Sequence, residues 1–376
     1  MLLGIDLGTS SVKALLLDES GQVHGRSSGP YRVLSPRADW VESEPREWLQ
    51  AVRDAVQEAV GSRSRDVRAV GLSGQMHGVV LCDDYGTPLR PAILWADTRS
   101  GDELGTYRAL GPEARSVLAN PYVTGMAGPS LLWLRRHELD AYDKARWALQ
   151  PKDWLRMQLT GQAGAEPSDA SATLLYNIPE DRWAWEVAET LGLRHDLLAP
   201  LAPSSSRAGE LLPGVATAWG LPAGIPVAMG AGDTPSAMLG TGLVHEGVMQ
   251  LVLGTGAQLI VQRNEPVPDP SGRTHLYRAV GERRWYAMAA MQNAGLALDW
   301  VRRILGIEWT EAYEEAFTAP PGAEGLLFLP QLTGERTPYL DSSMRGAWIG
   351  LHLHHERRHL LRAAFEGVAF ALRDGL

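Results

Sequence analysis

Apolar positions near the start of the chain alternate in short runs separated by clusters of turn residues. Leu2 to Leu7 is an apolar run broken by Asp6, Gly8-Thr9-Ser10-Ser11 comes next, and Val12 to Leu17 resumes the pattern. These two runs predict a hairpin. Glu19-Ser20-Gly21-Gln22 marks the next turn, and a third strand begins near Val23. The period then changes: Trp48, Leu49, Val52, Val56 and Val60 fall on one helical face, with Ser43 as N-cap ahead of Glu44-Pro45. Val67 to Leu72 reads as the next strand and leads into Gly74-Gln75-Met76-His77-Gly78.

The pattern occurs twice. Ile5-Asp6-Leu7-Gly8-Thr9-Ser10-Ser11 aligns with Leu251-Val252-Leu253-Gly254-Thr255-Gly256-Ala257, and an apolar strand comes after each. A long helix, Arg357 to Leu376, succeeds the second set of strands as the Glu44 to Val60 helix succeeds the first. Two similarly built domains are therefore expected, 1–243 and 244–376, joined at the Gly-rich stretch around Gly240-Thr241-Gly242. The strand and helices that come after the first helix have no counterpart in the second half, so the second domain reads as incomplete.

Composition narrows the partners. Lys plus Arg is 35 against 44 Asp plus Glu, a net charge of −9, which leaves no basic footprint for nucleic acid or anionic lipid. A chain of 376 residues with a single cysteine, Cys82, needs no disulfide staples and fits a reducing compartment. Met1 to Asp6 has no basic region typical of a signal peptide, and no apolar run is long enough for a membrane span. The expectation is a cytoplasmic globular protein acting on small molecules.

Several residues carry candidate chemistry. Gly8-Thr9-Ser10 and Gly254-Thr255-Gly256 are tight bends whose backbone N–H groups suit phosphate oxygens, although ordinary hairpin turns have the same composition. Their repetition, with a carboxylate at Asp6 beside only the first, favours one nucleotide held between two domains. Asp6 could serve Mg²⁺ through water. Ile225 to Met229 reads as a buried strand that Gly230-Ala231-Gly232 turns into a helix. Asp233 stands at the N-cap of that helix, either simply capping it or accepting a proton from a substrate hydroxyl. Met76 and His77 lie between two glycines on a constrained loop. In Trp95-Ala96-Asp97-Thr98-Arg99, Asp97 is an N-cap and Arg99 a solvated helix residue, or both bind hydroxyls. Tryptophan is abundant, 13 against 4 Phe, and indoles either stack on sugar faces or fill the core.

Taken together these segments resemble the FGGY carbohydrate kinases. Met1 to Lys13 is similar to the family's opening, and Gly-Ala-Trp-Ile-Gly-Leu from Gly346 with His-Leu-Leu-Arg-Ala-Ala-Phe-Glu ending at Glu366 is similar to its later signature. Gly74 to Gly78, Pro151-Lys152-Asp153-Trp154-Leu155-Arg156 and Leu332 to Pro338 look most like the xylulose kinases within that family. Two departures stand out: Thr333 replaces a serine, and Thr234 an asparagine that helps fix the sugar.

The resemblance implies an α/β fold of two ribonuclease H-like domains around a cleft, of the actin, sugar kinase and heat-shock ATPase type. It implies transfer of the ATP γ-phosphoryl group to a ketopentose, D-xylulose giving D-xylulose 5-phosphate, with Mg²⁺ neutralising phosphate charge. Asp233 would be the base and Asp6 the metal carboxylate. Met76, His77, Trp95, Asp97, Arg99 and Thr234 would serve the sugar. Gly8, Thr9, Ser10, Lys13, Gly254, Thr255 and Gly256 would serve the nucleotide. Ribulose, glycerol or gluconate is the alternative acceptor, and a non-catalytic sugar-binding remnant the alternative role. Family members continue beyond the position of Leu376 with a segment that receives adenosine, so the expectation is little turnover by this chain alone. A homodimer is left open.

Overall fold

The computed structural model describes residues 1–376 and divides them into two units. One comprises Met1–Gly242, Asn264–Pro266 and Tyr277–Trp285; the other comprises Leu243–Arg263, Val267–Leu276 and Tyr286–Leu376.

The first unit begins with the expected hairpin. Strands β1 (Leu2–Leu7) and β2 (Ser11–Leu17) pair antiparallel, and β3 (Val23–Pro30) pairs antiparallel with β2. Helix α1 (Pro45–Val60) comes next, with proline at its start, where the lost N–H has no intrahelical partner to miss. Its buried face, Trp48, Val52, Ala55, Val56 and Ala59, packs on β2 and β3.

Two local expectations differ from the structure. The residue preceding the helix is Glu44, with no side-chain cap, while Ser43 is in a short strand. There its hydroxyl donates to the Arg32 carbonyl and accepts from Trp48 Nε1. The next strand, β4, runs Ala69–Gly74 rather than from Val67, because a 3₁₀ turn over Gly61–Asp66 extends α1 and takes the Val67 amide.

The close seat of α1 depends on a missing side chain. A Cβ on Gly25 of β3 would lie 1.9 Å from the Ala59 carbonyl oxygen. Gly25→Ala is therefore expected to push helix from sheet and to lower stability by about 1–3 kcal/mol or more. A urea midpoint unchanged from wild type would contradict this packing.

Beyond β4 come helix α2 (Pro151–Thr160) and strands β5 (Arg207–Glu210), β6 (Pro226–Ala228) and β7 (Ala231–Gly232), then helix α3 (Asp233–Gly240). The sheet order is β5-β6-β4-β1-β2-β3, with β7 also on β4. Strands β1, β6 and β7 run parallel to β4. Cys82 is buried in the strand Val80–Cys82, where loss of hydration and the neighbouring Asp83 charge push its thiol up to about 12.

The second unit repeats the opening. Strands β8 (Met249–Leu253) and β9 (Ala257–Arg263) form its hairpin, and with β10 (His275–Arg278) and β11 (Trp285–Met291), of which Tyr277, Arg278 and Trp285 fall in the first unit, give the order β8-β9-β11-β10. The two hairpins differ in length: Leu7 pairs with Val12 across four residues, whereas Leu253 pairs with Ala257 across three. Helix α4 (Gly295–Leu305), strand β12 (Leu327–Leu329) and helix α5 (Arg357–Asp374) pack around its centre. Met291, Ala297, Val301, Phe328, Leu361, Ala364 and Val368 share one core. No helix is long and apolar enough to cross a membrane.

Candidate active site

Register places the candidate residues of the first unit at one end of its sheet. Asp6 of β1 and Ala231 of β7 both pair with Ser73 of β4, and Leu7 and Gly232 both pair with Gly74. All three strands are parallel, so their trailing segments emerge together at the carboxyl end: the Gly8 bend, the Gln75-Met76-His77 loop and the Asp233 elbow. With strands about 4.8 Å apart, the backbones of Asp6 and Ala231 lie about 10 Å apart. Crevices at the carboxyl ends of parallel strands are where open α/β sheets bind ligands.

Asp233 is the first residue of α3, and Gly232 occupies the N-cap position. Its carboxylate does not cap the helix in the expected way; Oδ1 accepts instead from the adjacent Thr234 N–H at 2.6 Å and the Thr234 hydroxyl at 3.3 Å. Asp233 is exposed at the surface, with protein packed around its carboxylate. Restricted hydration, with the Asp6 charge adding to it, raises its pKa to about 6. A carboxylate of that basicity accepts protons near neutrality and remains mostly ionised at pH 7. Thr234 is thereby engaged with Asp233.

Asp6 is partly exposed. Ser73 Oγ donates to its Oδ1 at 3.2 Å, and the ammonium of Lys13, itself well exposed, is 3.9 Å from Oδ2. The Gly8 bend is braced from two sides: Gln75 Nε2 donates to the Gly8 carbonyl at 3.1 Å and the Tyr31 hydroxyl donates to it as well. Gly8 N–H is used within the bend, on Ser11 O at 3.0 Å, while the amides of Thr9 and Ser10 make no backbone hydrogen bond. Trp95 Nε1 donates to Thr9 Oγ1 at 2.9 Å.

The sugar-loop candidates lie between these groups. His77 adopts φ 72°, and its Nδ1 is 2.9 Å from the Ala172 carbonyl. A carbonyl only accepts, so this contact places a proton on Nδ1. The His77 ring lies 5.7 Å from that of Tyr277, whose segment belongs to the first unit. Met76 is buried against Gly232, where a Cβ would come within 2.6 Å of Met76 Cγ. Gly232→Ala should therefore displace Met76 and weaken sugar binding, measured calorimetrically, by about tenfold; an unchanged affinity would show that Met76 does not face the sugar.

Asp97 and Arg99 are placed differently from expectation. Arg99 is not a solvated helix residue: both side chains are 1% exposed and paired with each other at 2.7 Å. The Arg99 guanidinium also reaches Glu42 at 2.8 Å and stacks on Trp40, its carbon 3.7 Å from the ring centroid. Asp97 Oδ2 accepts from the Val41 amide at 2.6 Å. Both side chains are out of contact with solvent and paired chiefly with protein, although Arg99 Nη1 is buried without a hydrogen-bond partner.

In the second unit the Gly254-Thr255-Gly256 bend is fixed to the start of α4. The Gly254 and Thr255 carbonyls accept from the Gly295 and Leu296 amides at 3.0 and 2.9 Å, and a Cβ on Gly256 would lie 2.5 Å from the Met291 carbonyl oxygen. Thr255 and Gly256 keep amides with no backbone partner. The loop around Thr333 packs close by in the same unit. Buried Glu335 accepts from the Gln292 amide at 2.6 Å, and Gln292 Nε2 donates to Thr333 Oγ1 at 3.0 Å. The sequence reading missed Tyr31, Gln75 and Tyr277 as parts of the first site. Only Gln75, inside the Gly74 to Gly78 segment, had a local signal.

Comparison with known proteins bears on both units. The N-terminal domain of the FGGY family of carbohydrate kinases matches residues 1–240 and its C-terminal domain residues 249–376. A xylulose kinase from Escherichia coli K12 is 36% identical over 379 residues, spanning 100% of this chain and 78% of that protein. A xylulose kinase from Bacillus subtilis is 34% identical over 383 residues, spanning 100% of this chain and 76% of its own length. Among solved structures, a xyloylose kinase from Brucella ovis superposes with a TM-score of 0.94 at 37% identity, covering 100% of this chain and 78% of that one. Matched in order across both of its halves, and by relatives a third identical along its length, the chain belongs to the FGGY family of carbohydrate kinases.

Proposed function

We propose that this carbohydrate kinase transfers the γ-phosphoryl group of ATP to D-xylulose, giving D-xylulose 5-phosphate. The observation that carries the reading is the Asp233 elbow set beside the Met76-His77 loop at the ends of parallel strands. The names of the relatives give the sugar. Residues 1–243 supply the sugar contacts and the base, and 244–376 the main nucleotide contacts.

In the reaction, a sugar hydroxyl gives its proton to the Asp233 carboxylate as its oxygen bonds to the γ-phosphorus, and the bond to the ADP oxygen breaks. Phosphoryl transfer depends chiefly on positioning and electrostatics. His77 Nε2 accepts from a sugar hydroxyl, and Met76 packs on its carbon face. The unpaired amides of Thr9 and Ser10, and those of Thr255 and Gly256, offer donors to phosphate oxygens. No cluster of three or more His, Cys, Asp or Glu side chains is arranged to hold a bare ion. Asp6, partly exposed beside the Gly8 bend, is the carboxylate that would hold a Mg²⁺ keeping most of its waters; the ion would supply charge neutralisation on the phosphates.

Turnover and calorimetric binding with D-xylulose, D-ribulose, glycerol and gluconate test the assignment. D-xylulose is expected to bind tightest, and His77→Ala to weaken sugar binding about tenfold, the loss of one hydrogen bond to a charged or buried partner, with nucleotide binding retained. Gluconate is the acceptor to watch, because a gluconokinase from Bacillus subtilis is 29% identical over 391 residues. Tighter binding of gluconate or glycerol than of D-xylulose would overturn the sugar assignment while leaving the kinase class intact.

A further inference from the structure

Five ionisable side chains with no solvent exposure, Lys152, Asp153, Arg156, Glu166 and Asp169, gather beneath the elbow that carries Asp233. Burying ions costs several kcal/mol each, and an apolar core of similar volume is often as stable or more so. Lys152 also lies in the first turn of α2, the end of a helix least suited to a cation. Stability gives a poor reason for this arrangement; its bonds give a better one.

Lys152 Nζ donates to Asp153 and lies 3.4 Å from Glu166 Oε1 and 3.8 Å from Asp169 Oδ2. Arg156 joins Asp153 at 2.6 Å. Both Asp169 oxygens are buried without a hydrogen-bond partner, and loss of hydration pushes that carboxyl well above the usual carboxylate range. Two basic side chains, Lys152 and Arg156, thus stand among three carboxyls, Asp153, Glu166 and Asp169.

Three chains of bonds lead from the cluster to the four residues before Asp233. Arg156 donates to the Met229 carbonyl at 2.7 Å. Ser168 Oγ donates to Glu166 Oε1 at 2.8 Å and accepts from the Gly232 amide at 3.0 Å. Glu166 Oε2 accepts from Ser204 Oγ at 2.6 Å, and the Ser204 carbonyl accepts from the Gly230 amide at 3.1 Å. Gly230 itself is at φ 78°, with room for no Cβ: one would sit 2.3 Å from the Leu72 carbonyl oxygen. These ties act on the backbone leading into Asp233 rather than on its carboxylate, while Arg156 also donates to the Gly164 carbonyl at 2.5 Å and Glu166 accepts from the Ser168 and Asp169 amides.

We propose that Arg156, Glu166 and Ser168 are positioning residues for phosphoryl transfer, fixing the Met229–Gly232 backbone so that the Asp233 carboxylate meets the acceptor hydroxyl. This rests on Asp233 being the base. Ser168→Ala leaves the Gly232 amide without its acceptor, and a misplacement on the order of 1 Å costs up to about 10²-fold in rate. The expected result is a kcat lowered about 10- to 10²-fold with sugar KM within about threefold, and recovery in Ser168→Thr, which keeps the hydroxyl. Arg156→Lys, which keeps the charge and loses the fork, should behave like Ser168→Ala.

A second readout needs no turnover. Carboxyl-¹³C aspartate NMR, with the Asp233 signal identified by its loss in Asp233→Asn, should show the Asp233 titration moving down towards the ordinary carboxylate range in Ser168→Ala as the elbow hydrates. Arg194→Lys is the control, since Arg194 holds the Tyr142 and Ala145 carbonyls and makes no bond to the elbow; it should leave kcat and the Asp233 titration unchanged. An unmoved titration in Ser168→Ala, or the same shift in Arg194→Lys, overturns the proposal. Near-normal turnover in Asp233→Asn overturns the base assignment instead, which separates the two failures.

Discussion

Asp233→Ala is expected to lower kcat at least about 10²-fold, the lower range for loss of a general base, while sugar binding is retained. The residue offers the only carboxylate at the start of α3, its Oδ1 oriented by Thr234, and its raised pKa of about 6 fits a group that must take a proton near neutrality. The same shift fixes the sign of the pH dependence. The base works ionised, so kcat/KM should fall about tenfold per unit as pH drops below about 6, and this limb should vanish in the alanine variant. Stability runs the other way. A carboxyl whose pKa is higher folded than unfolded binds its proton more tightly in the native state, so its contribution favours folding at low pH and is lost as pH rises through about 6. Turnover within about threefold of wild type after Asp233→Ala would show that another group takes the proton.

Arg99→Leu is expected to cost about 3–5 kcal/mol of stability, because removing one partner from a buried ion network strands the others. Asp97 would lose its guanidinium, Glu42 would keep only Arg90, and Trp40 would lose its stacked cation. Arg90 could not make up the loss, since it is already committed to Glu42 and to Glu138 at 2.7 Å. The same variant tests the alternative in which Arg99 binds sugar. Urea unfolding should show the loss, whereas calorimetry on the folded fraction should show unchanged sugar affinity; a weakened affinity at full stability would return Arg99 to the binding site.

The parts of the molecule legible in the sequence are those whose signal is local. The Gly8 and Gly254 hairpins, the glycines before Asp233 and the apolar face of α1 each declare themselves within a few residues. Their repetition revealed the two similar halves, although alignment could not show that one bend is a residue shorter. What escaped was set by distant partners. Arg99 looked solvated because nothing nearby in sequence announces Glu42, Trp40 or the Val41 amide. Lys152, Glu166 and Asp169 escaped for the same reason: a charged side chain carries no local mark of burial. Tyr277, about two hundred residues from Met76 and His77, approaches their loop only through tertiary folding.

Cys82 offers a clock for the first unit. Its thiol is both enclosed and held near a pKa of about 12, so at neutral pH almost none of it is the reactive thiolate. As the one cysteine in the chain, it is silent towards alkylating reagents until its strand parts from its neighbours. The rate at which label accumulates then counts opening events, and slowing by added sugar or nucleotide would rank ligands by how firmly each closes that unit, with no coupled enzyme and no turnover required.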